Sequence, residues 1–272
     1  MKRRAICWVL MVLVASTGVV AAHAAQDQEI GRLIEALQDE NFRVRFAAAK
    51  ALGEMGLDAQ DAIPALVEAL GDEVVYVRYG VTVALGGIGS AAVPALANAL
   101  QNEDKLVRFH AAAALVMIGP DARDAIPSLT EALRDESEGV RFTSAFVLGK
   151  IGPDAHDAVP GLIEVLRGDV DWRVRLRAAW ALAEIGPDAM GPDTWDTVLQ
   201  DAIPPLIEVL ENMAAPAIMR QDAAFALGKI GPAAKDAIPA LIEAVQDPDA
   251  EVRSAAVEAL KKIRGESQLN HD

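Results

Sequence analysis

Apolar residues recur along this chain at helical spacing, in pairs of segments separated by short acidic turns. In one pair Ile63, Leu66, Val67 and Leu70 form the first stripe, and Val77, Val81, Leu85 and Ile88 form the second. These spacings gather the apolar side chains on one face of each helix. Gly71-Asp72-Glu73 makes the turn between the two helices. Asp61 is placed to N-cap the first helix, and Pro64 sits in its first turn, where a missing N–H breaks no intrahelical bond. Gly89 is placed to end the second helix in a left-handed cap. In most other copies a proline follows that glycine and stops the helix, as in Gly119-Pro120, Gly152-Pro153, Gly186-Pro187 and Gly231-Pro232.

The pair itself recurs. Its consensus is D-A-I-P-x-L-[IV]-E-A-L, an acidic turn, then V-R-x-x-A-A-x-A-L-G-x-I-G-P. The arginines are Arg45, Arg78, Arg108, Arg141, Arg175, Arg220 and Arg253, in steps of 33, 30, 33, 34, 45 and 33 residues. A fixed period of this size predicts a solenoid rather than one compact core. The fold class is therefore all-α: a right-handed α-solenoid of about seven two-helix repeats. No β pattern competes. Alanines fill the second helices, as at Ala111 to Ala114, and let neighbouring repeats approach closely.

The D-A-[IV]-P-x-L openings, the V-R pairs and the A-L-G-x-I-G endings resemble the HEAT-repeat superfamily. The short-repeat branch named for phycobilisome lyases is the most similar. The resemblance covers roughly residues 27 to 265. It implies that an Asp or Asn six residues before each arginine forms a ladder with the arginines of neighbouring repeats: Asp39, Asp72, Asn102, Asp135, Asp169 and Asp247. The sixth repeat departs from this pattern. Ala214 stands in place of the Asp, Met219 replaces the Val, and the turn from Glu211 to Ile218 is about two residues longer, so the ladder is expected to break there. The 45-residue step reflects an insertion at 188–199, read as an inter-repeat loop with one short helical turn. Trp195 in it either staples the loop to the body or meets a partner.

In such an architecture the second helices line the concave side. The core side of each is the residue before Arg, then Arg+3, Arg+7 and Arg+10. Ten of the eleven aromatics beyond residue 24 fall on other positions. Phe46, Tyr79, Phe109 and Phe142 stand at Arg+1; Phe146, Trp180 and Phe225 at Arg+5; Phe42 and Trp172 at Arg−3; Tyr76 at Arg−2. Arg+1 and Arg+5 are one turn apart on the same face. Two readings follow: an exposed aromatic track that binds a partner, or rings packed flat on the next repeat. His110, Arg173 and Arg177 share this surface, and the stretch Trp172, Arg173, Arg177 and Trp180 would suit an acidic or extended peptide.

Met1-Lys2-Arg3-Arg4, the apolar run Ala5 to Val20 and the small-x-small Ala22-His23-Ala24 predict a signal peptide over residues 1–24, cleaved near Ala24. The expected location is periplasmic or extracellular. An uncleaved N-terminal anchor is the alternative, and the only membrane attachment expected. Residues 25–265 form the solenoid and 266–272 a tail. Cys7 lies in the signal, which leaves no thiol for disulfides, nucleophilic catalysis or metal binding. Removing Lys2, Arg3 and Arg4 from the 25 basic residues leaves 22 against 40 acidic, a net charge of about −18. That disfavours nucleic acid and anionic membrane surfaces.

Catalytic chemistry finds little support. No G-x-x-x-x-G-K-[ST] phosphate loop occurs, and Gly86-Gly87-Ile88-Gly89 is a helix ending. His110, His156 and His271 lie apart and do not make a 2-His-1-carboxylate set. The His-Glu dipeptides that hold iron in deoxyhypusine hydroxylase, which the repeats resemble, are absent. No catalytic residue, metal ligand or cofactor is expected. The function expected is an exported scaffold or adaptor that binds a protein or peptide along its concave aromatic face. The alternative is an enzyme or enzyme accessory related to bilin lyases or deoxyhypusine hydroxylase.

Overall fold

A computed structural model describes residues 25–265. The expected signal peptide (1–24) and tail (266–272) lie outside them. The described residues are helical and hold no strand. They form two compact units, one up to Ala95 and one from Leu96. The first unit contains helix α1 (25–36), α2 (Phe42–Met55), α3 (Ile63–Ala69) and α4 (Val75–Ile88). The boundary falls within α5 (Val93–Ala99). The second unit continues with α6 (Lys105–Ile118), α7 (Ile126–Ala132), α8 (Glu138–Ile151), α9 (Val159–Gly168) and α10 (Trp172–Ile185). After α11 (Pro187–Met190) come α12 (Pro192–Glu211), α13 (Ala217–Ile230), α14 (Ile238–Ala244) and α15 (Ala250–Arg264). Even-numbered helices up to α10, with α13 and α15, are the second helices of the repeats. Val75–Ala99 is long and apolar enough to cross a membrane, yet Gly89 interrupts it at φ 81° and half of it is buried.

The core is the one the periodicity marks out. The leucine seven residues after each arginine is fully buried in six repeats: Leu52, Leu85, Leu115, Leu148, Leu182 and Leu227. Each removes a side chain worth about 1.5–3 kcal/mol from water. Second helices are capped where the turn supplies an acceptor. Asn41, Asp104, Asp171 and Asp249 accept from the backbone N–H two residues on, at 2.8–3.0 Å. First helices begin differently from expectation. Asp61 does not cap α3, whose entry residue is Ala62. Glycine ends each second helix at positive φ, but in five of them with ψ near −140°, as at Gly152 (φ 75°, ψ −138°), and only Gly265 after α15 takes the left-handed cap. The Gly152 conformation lies outside the left-handed helical basin, and the chain runs on through a 3₁₀ segment (Gly152–Ala158) into the next first helix.

The ladder is present. Arg45 donates Nε and Nη2 to the two carboxylate oxygens of Asp72 at 2.6 and 2.9 Å. The same paired bond joins Arg108 to Asp135, Arg141 to Asp169 and Arg220 to Asp247. The Nη1 group meanwhile donates to carbonyls of the arginine's own turn, as Arg108 does to Asn102 and Glu103 at 2.8 and 2.9 Å. Each arginine therefore closes one repeat and grips the next. The rung fails at the sixth repeat, as the sequence implies. Arg175 donates to the Asp169 carbonyl at 2.8 Å, and no carboxylate among the described residues meets its fork. Asn212 takes over the turn-making role, accepting from the Ala214 N–H at 3.0 Å. It is two residues earlier than the register requires and carries no charge.

Close approach of second helices rests on glycines set against the buried alanines of the next repeat. An added Cβ at Gly53 would stand 2.7 Å from the Ala84 Cα, and one at Gly228 would stand 2.9 Å from the Ala259 Cα. At Gly149 it would meet the Trp180 ring at 2.8 Å and the Ala181 Cα at 2.9 Å. The insertion corrects an expectation: 188–199 is not a loop. Pro187 and Pro192 each start a helix, and the second runs unbroken from Pro192 into the first helix of the sixth repeat. Pro204 and Pro205, which would otherwise mark a helix start, lie inside it. Trp195 sits half-buried in its first turn, donating its backbone N–H to the Gly191 carbonyl at 3.0 Å.

Three stability outcomes follow. Asp247 titrates below its ordinary value because Arg220 hydrogen-bonds its carboxylate. Burial pushes Asp72 and Asp169 up, but their bonds from Arg45 and Arg141 more than offset it and leave both lowered. A lowered carboxylate pKa stabilises the fold above about pH 4, and that contribution is lost as pH falls through the folded value. Thermal unfolding should give a level Tm above about pH 5 that declines below 4, with a shallower acid decline in Asp247→Asn. At neutral pH, Asp247→Ala should cost about 3 kcal/mol by urea unfolding, because it leaves Arg220 buried without its carboxylate. Gly149→Ala should also destabilise. The crowding of about 1–3 kcal/mol exceeds the gain of about 1 kcal/mol in helix propensity, and a rise in the urea midpoint would contradict this packing.

Candidate functional site

The second helices present most of the aromatics that the sequence singled out. In the first unit Tyr76 and Tyr79 are 68% and 64% exposed, and Phe42 lies at the surface with Arg43 over its ring. Phe46 is half-buried, lying where a Cβ on Gly80 would stand 2.8 Å from its ring. It thus packs on the next repeat while keeping one face in solvent. A hollow of about 340 Å³ opens between α2 and α4, with Phe46, Tyr79 and Val83 as its apolar walls.

In the second unit Phe109, Phe142, Phe146, Trp172 and Phe225 are partly or fully exposed, and His110 is half-buried edge-on to Phe109. Phe146 carries Lys150 over its ring at 5.4 Å, and Lys262 lies over Phe225 at 5.6 Å. Two residues expected on this surface are not there. Trp180 and Arg177 are 7% and 5% exposed. The missing side chain at Gly149 admits the Trp180 ring, whose centroid lies 5.2 Å from that of Phe146. The Arg177 guanidinium is stacked among Phe142, Phe146 and Trp180 at 4.5–5.2 Å and donates to Asp222 of α13 at 2.8 Å. Burial pushes Arg177 below its ordinary value against the pull of Asp222. Its Nε is buried with no partner among the described residues. A single amphipathic pattern shows which side of a helix faces its own repeat; Arg+2 and Arg+5 here face the neighbouring repeat.

A cavity that no single helical pattern marks lies beside this cluster. It measures about 260 Å³ and is walled by Phe109, Phe142, Val174, Pro216, Ile218 and Met219. Those residues come from α6, α8, α10 and the start of α13. The longer turn before α13 and the Met219 replacement, both legible as departures, shape its far wall. Gly139 leaves further room. Glu138, Asp171 and Arg173 stand at its mouth. Arg173 donates to Glu138 at 2.9 Å and bonds both oxygens of Asp171. The Arg173 guanidinium holds Asp171 at about 2.

Among the described residues no three His, Cys, Asp or Glu side chains are placed to share a metal ion. His110 and His156 belong to different helical segments, and exposed His156 lies 3.5 Å from the Asp157 carboxylate.

Comparison with known proteins gives the chain a family. A model described as HEAT repeats matches residues 3–85, 63–141, 94–183, 126–200 and 203–271, and one described as HEAT-like repeat matches 172–230. No curated protein matches the sequence significantly. Among solved structures, Kap121p bound to Nup53p aligns with TM-score 0.67 and 16% identity, over 89% of this chain and 30% of that one. An engineered protein aligns with TM-score 0.53 and 23% identity, over 87% and 96%. The complex of CpcE and CpcF of phycocyanin lyase from Nostoc sp. PCC7120 aligns with TM-score 0.50 and 26% identity, over 86% and 92%. The all-α repeat fold and the lyase-type branch expected from the sequence agree with these matches. The chain belongs to the HEAT-repeat family.

Proposed function

We propose that this protein is an exported, non-enzymatic scaffold that binds a protein or peptide segment on its second-helix face. One observation carries the reading: large apolar side chains lie exposed on that face, Tyr76 and Tyr79 in one unit and Phe109 and Ile218 around a cavity in the other. Exposed aromatic and aliphatic clusters of this kind mark interaction surfaces. The likeness to Kap121p in its complex with Nup53p fits a protein as the partner. A rigid helical face offers these anchors without an ordering cost at each encounter. Arg177 and Trp180, being buried, hold the face in place and do not touch the partner. Arg173 remains at the surface.

A second reading draws on the likeness to CpcE and CpcF: an accessory or subunit of a lyase-type enzyme. It predicts that a bilin chromophore copurifies with the protein.

Three measurements separate these readings. Mass spectrometry of the secreted protein should place the mature N-terminus at Ala25; retention of residues 1–24 on a membrane-bound protein would reverse the export reading. Affinity capture from the exported fraction should recover a stoichiometric partner with the wild type and lose it with Tyr76→Ser/Tyr79→Ser/Ile218→Ser. Equal recovery by both would reject the second-helix face. Visible absorbance and metal analysis should show neither bilin nor iron; stoichiometric bilin would favour the lyase-type reading, and stoichiometric iron would contradict the non-enzymatic one.

A further inference from the structure

The cavity in the unit from Leu96 says what kind of segment it accepts. We infer that it takes one bulky apolar side chain from a partner segment whose adjacent residues are lysine or arginine. This rests on the reading that the second-helix face binds a protein or peptide.

Size is the first argument. Pockets for small ligands and cofactors run to about 300–1,000 Å³. At about 260 Å³ this cavity is a side-chain-sized hole. Its walls are aromatic and aliphatic, so the side chain that fills it is apolar.

Charge is the second argument, and it reverses the acidic partner that Arg173 and Arg177 imply in sequence. Arg177 is sealed beneath Phe142, Phe146 and Trp180 and neutralised by Asp222. Arg173 is already bonded to both Asp171 and Glu138, so at the mouth one cation faces two carboxylates. Glu136, two residues before Glu138 in the chain, adds another carboxylate whose side chain is 81% exposed. It lies 3.1 Å from Arg108, but that arginine's charge is already matched by Asp135 at 2.6 Å. The whole chain carries −15, so the longer-range field has the same sign. An acidic segment would meet repulsion at the mouth. A basic one would be attracted and held in register while its apolar neighbour enters the cavity.

The test uses short synthetic peptides with one central tryptophan flanked on both sides by lysine, by glutamate or by serine. Binding to the purified protein is followed by fluorescence anisotropy at low ionic strength. The lysine-flanked peptide should bind roughly tenfold or more tightly than the glutamate-flanked one. Glu138→Gln should narrow that ratio by about threefold, the scale of one exposed charge pair. Ile218→Lys should abolish binding. Ile218 is 59% exposed, so the variant should keep the wild-type circular dichroism and melting curve. Peptides that bind in an Ile218-dependent way with equal or reversed charge preference would overturn this inference and leave the second-helix reading standing. If no peptide binds, or if Ile218→Lys changes nothing, the inference fails and so does the assignment of this cavity to the binding face.

Discussion

The paired bond from one repeat's arginine to the next repeat's aspartate is the constraint on which this structure depends. A two-helix repeat cannot bury its apolar stripes alone. The leucines supply the burial, but burial has no direction and would tolerate sliding of one hairpin along another. The arginine removes that freedom. Its Nη1 closes its own turn on two carbonyls, and its Nε and Nη2 fit a single carboxylate in the next repeat. Planar guanidinium and carboxylate meet in one geometry. Ion pairs this buried are close to break-even against apolar replacements, so their contribution is mainly register. Register in turn decides which side chains the second helices show to solvent.

The place where the rung is missing is therefore informative. Arg175 keeps its carbonyl bond but finds no acid, since the turn of the sixth repeat is longer and carries Asn212 and Ala214. Two residues further along α10, Arg177 reaches Asp222 and ties α10 to α13 from the other side of the helix. The aromatic stack buries the arginine end of that bond, while Asp222 keeps partial access to solvent. The same long turn sets Pro216, Ile218 and Met219 apart from α10 and leaves the cavity between them. A lapse in the architecture and the best candidate for a partner's anchor thus have one cause.

Much of this was legible in the sequence, because a period exposes what every copy shares. The apolar stripes gave the helices, the leucine at Arg+7 gave the core, and the HEAT-repeat resemblance implied the ladder, whose break showed in the altered sixth turn. Relations between helices were harder to read. Trp180 and Arg177 sit on the polar side of their own helix, yet they are buried by what α8 offers opposite them, above all the absent side chain of Gly149. The insertion resembled a loop because Pro204 looks like a helix start. In fact Pro192 opens a helix early enough to carry through it. The cavity needs residues from four helices at once, and no local pattern encodes that.

The central claim is that the second-helix face, at the departure between the fifth and sixth repeats, is where a partner sits. Site-specific photocrosslinking in the native host tests it most directly. A benzophenone amino acid would replace Ile218 on the second-helix face or, in a separate variant, Ile242, which is 50% exposed on first helix α14. The account predicts a discrete crosslinked species from position 218 and none from 242. A crosslink from 242 alone, or the same species from both, would contradict it.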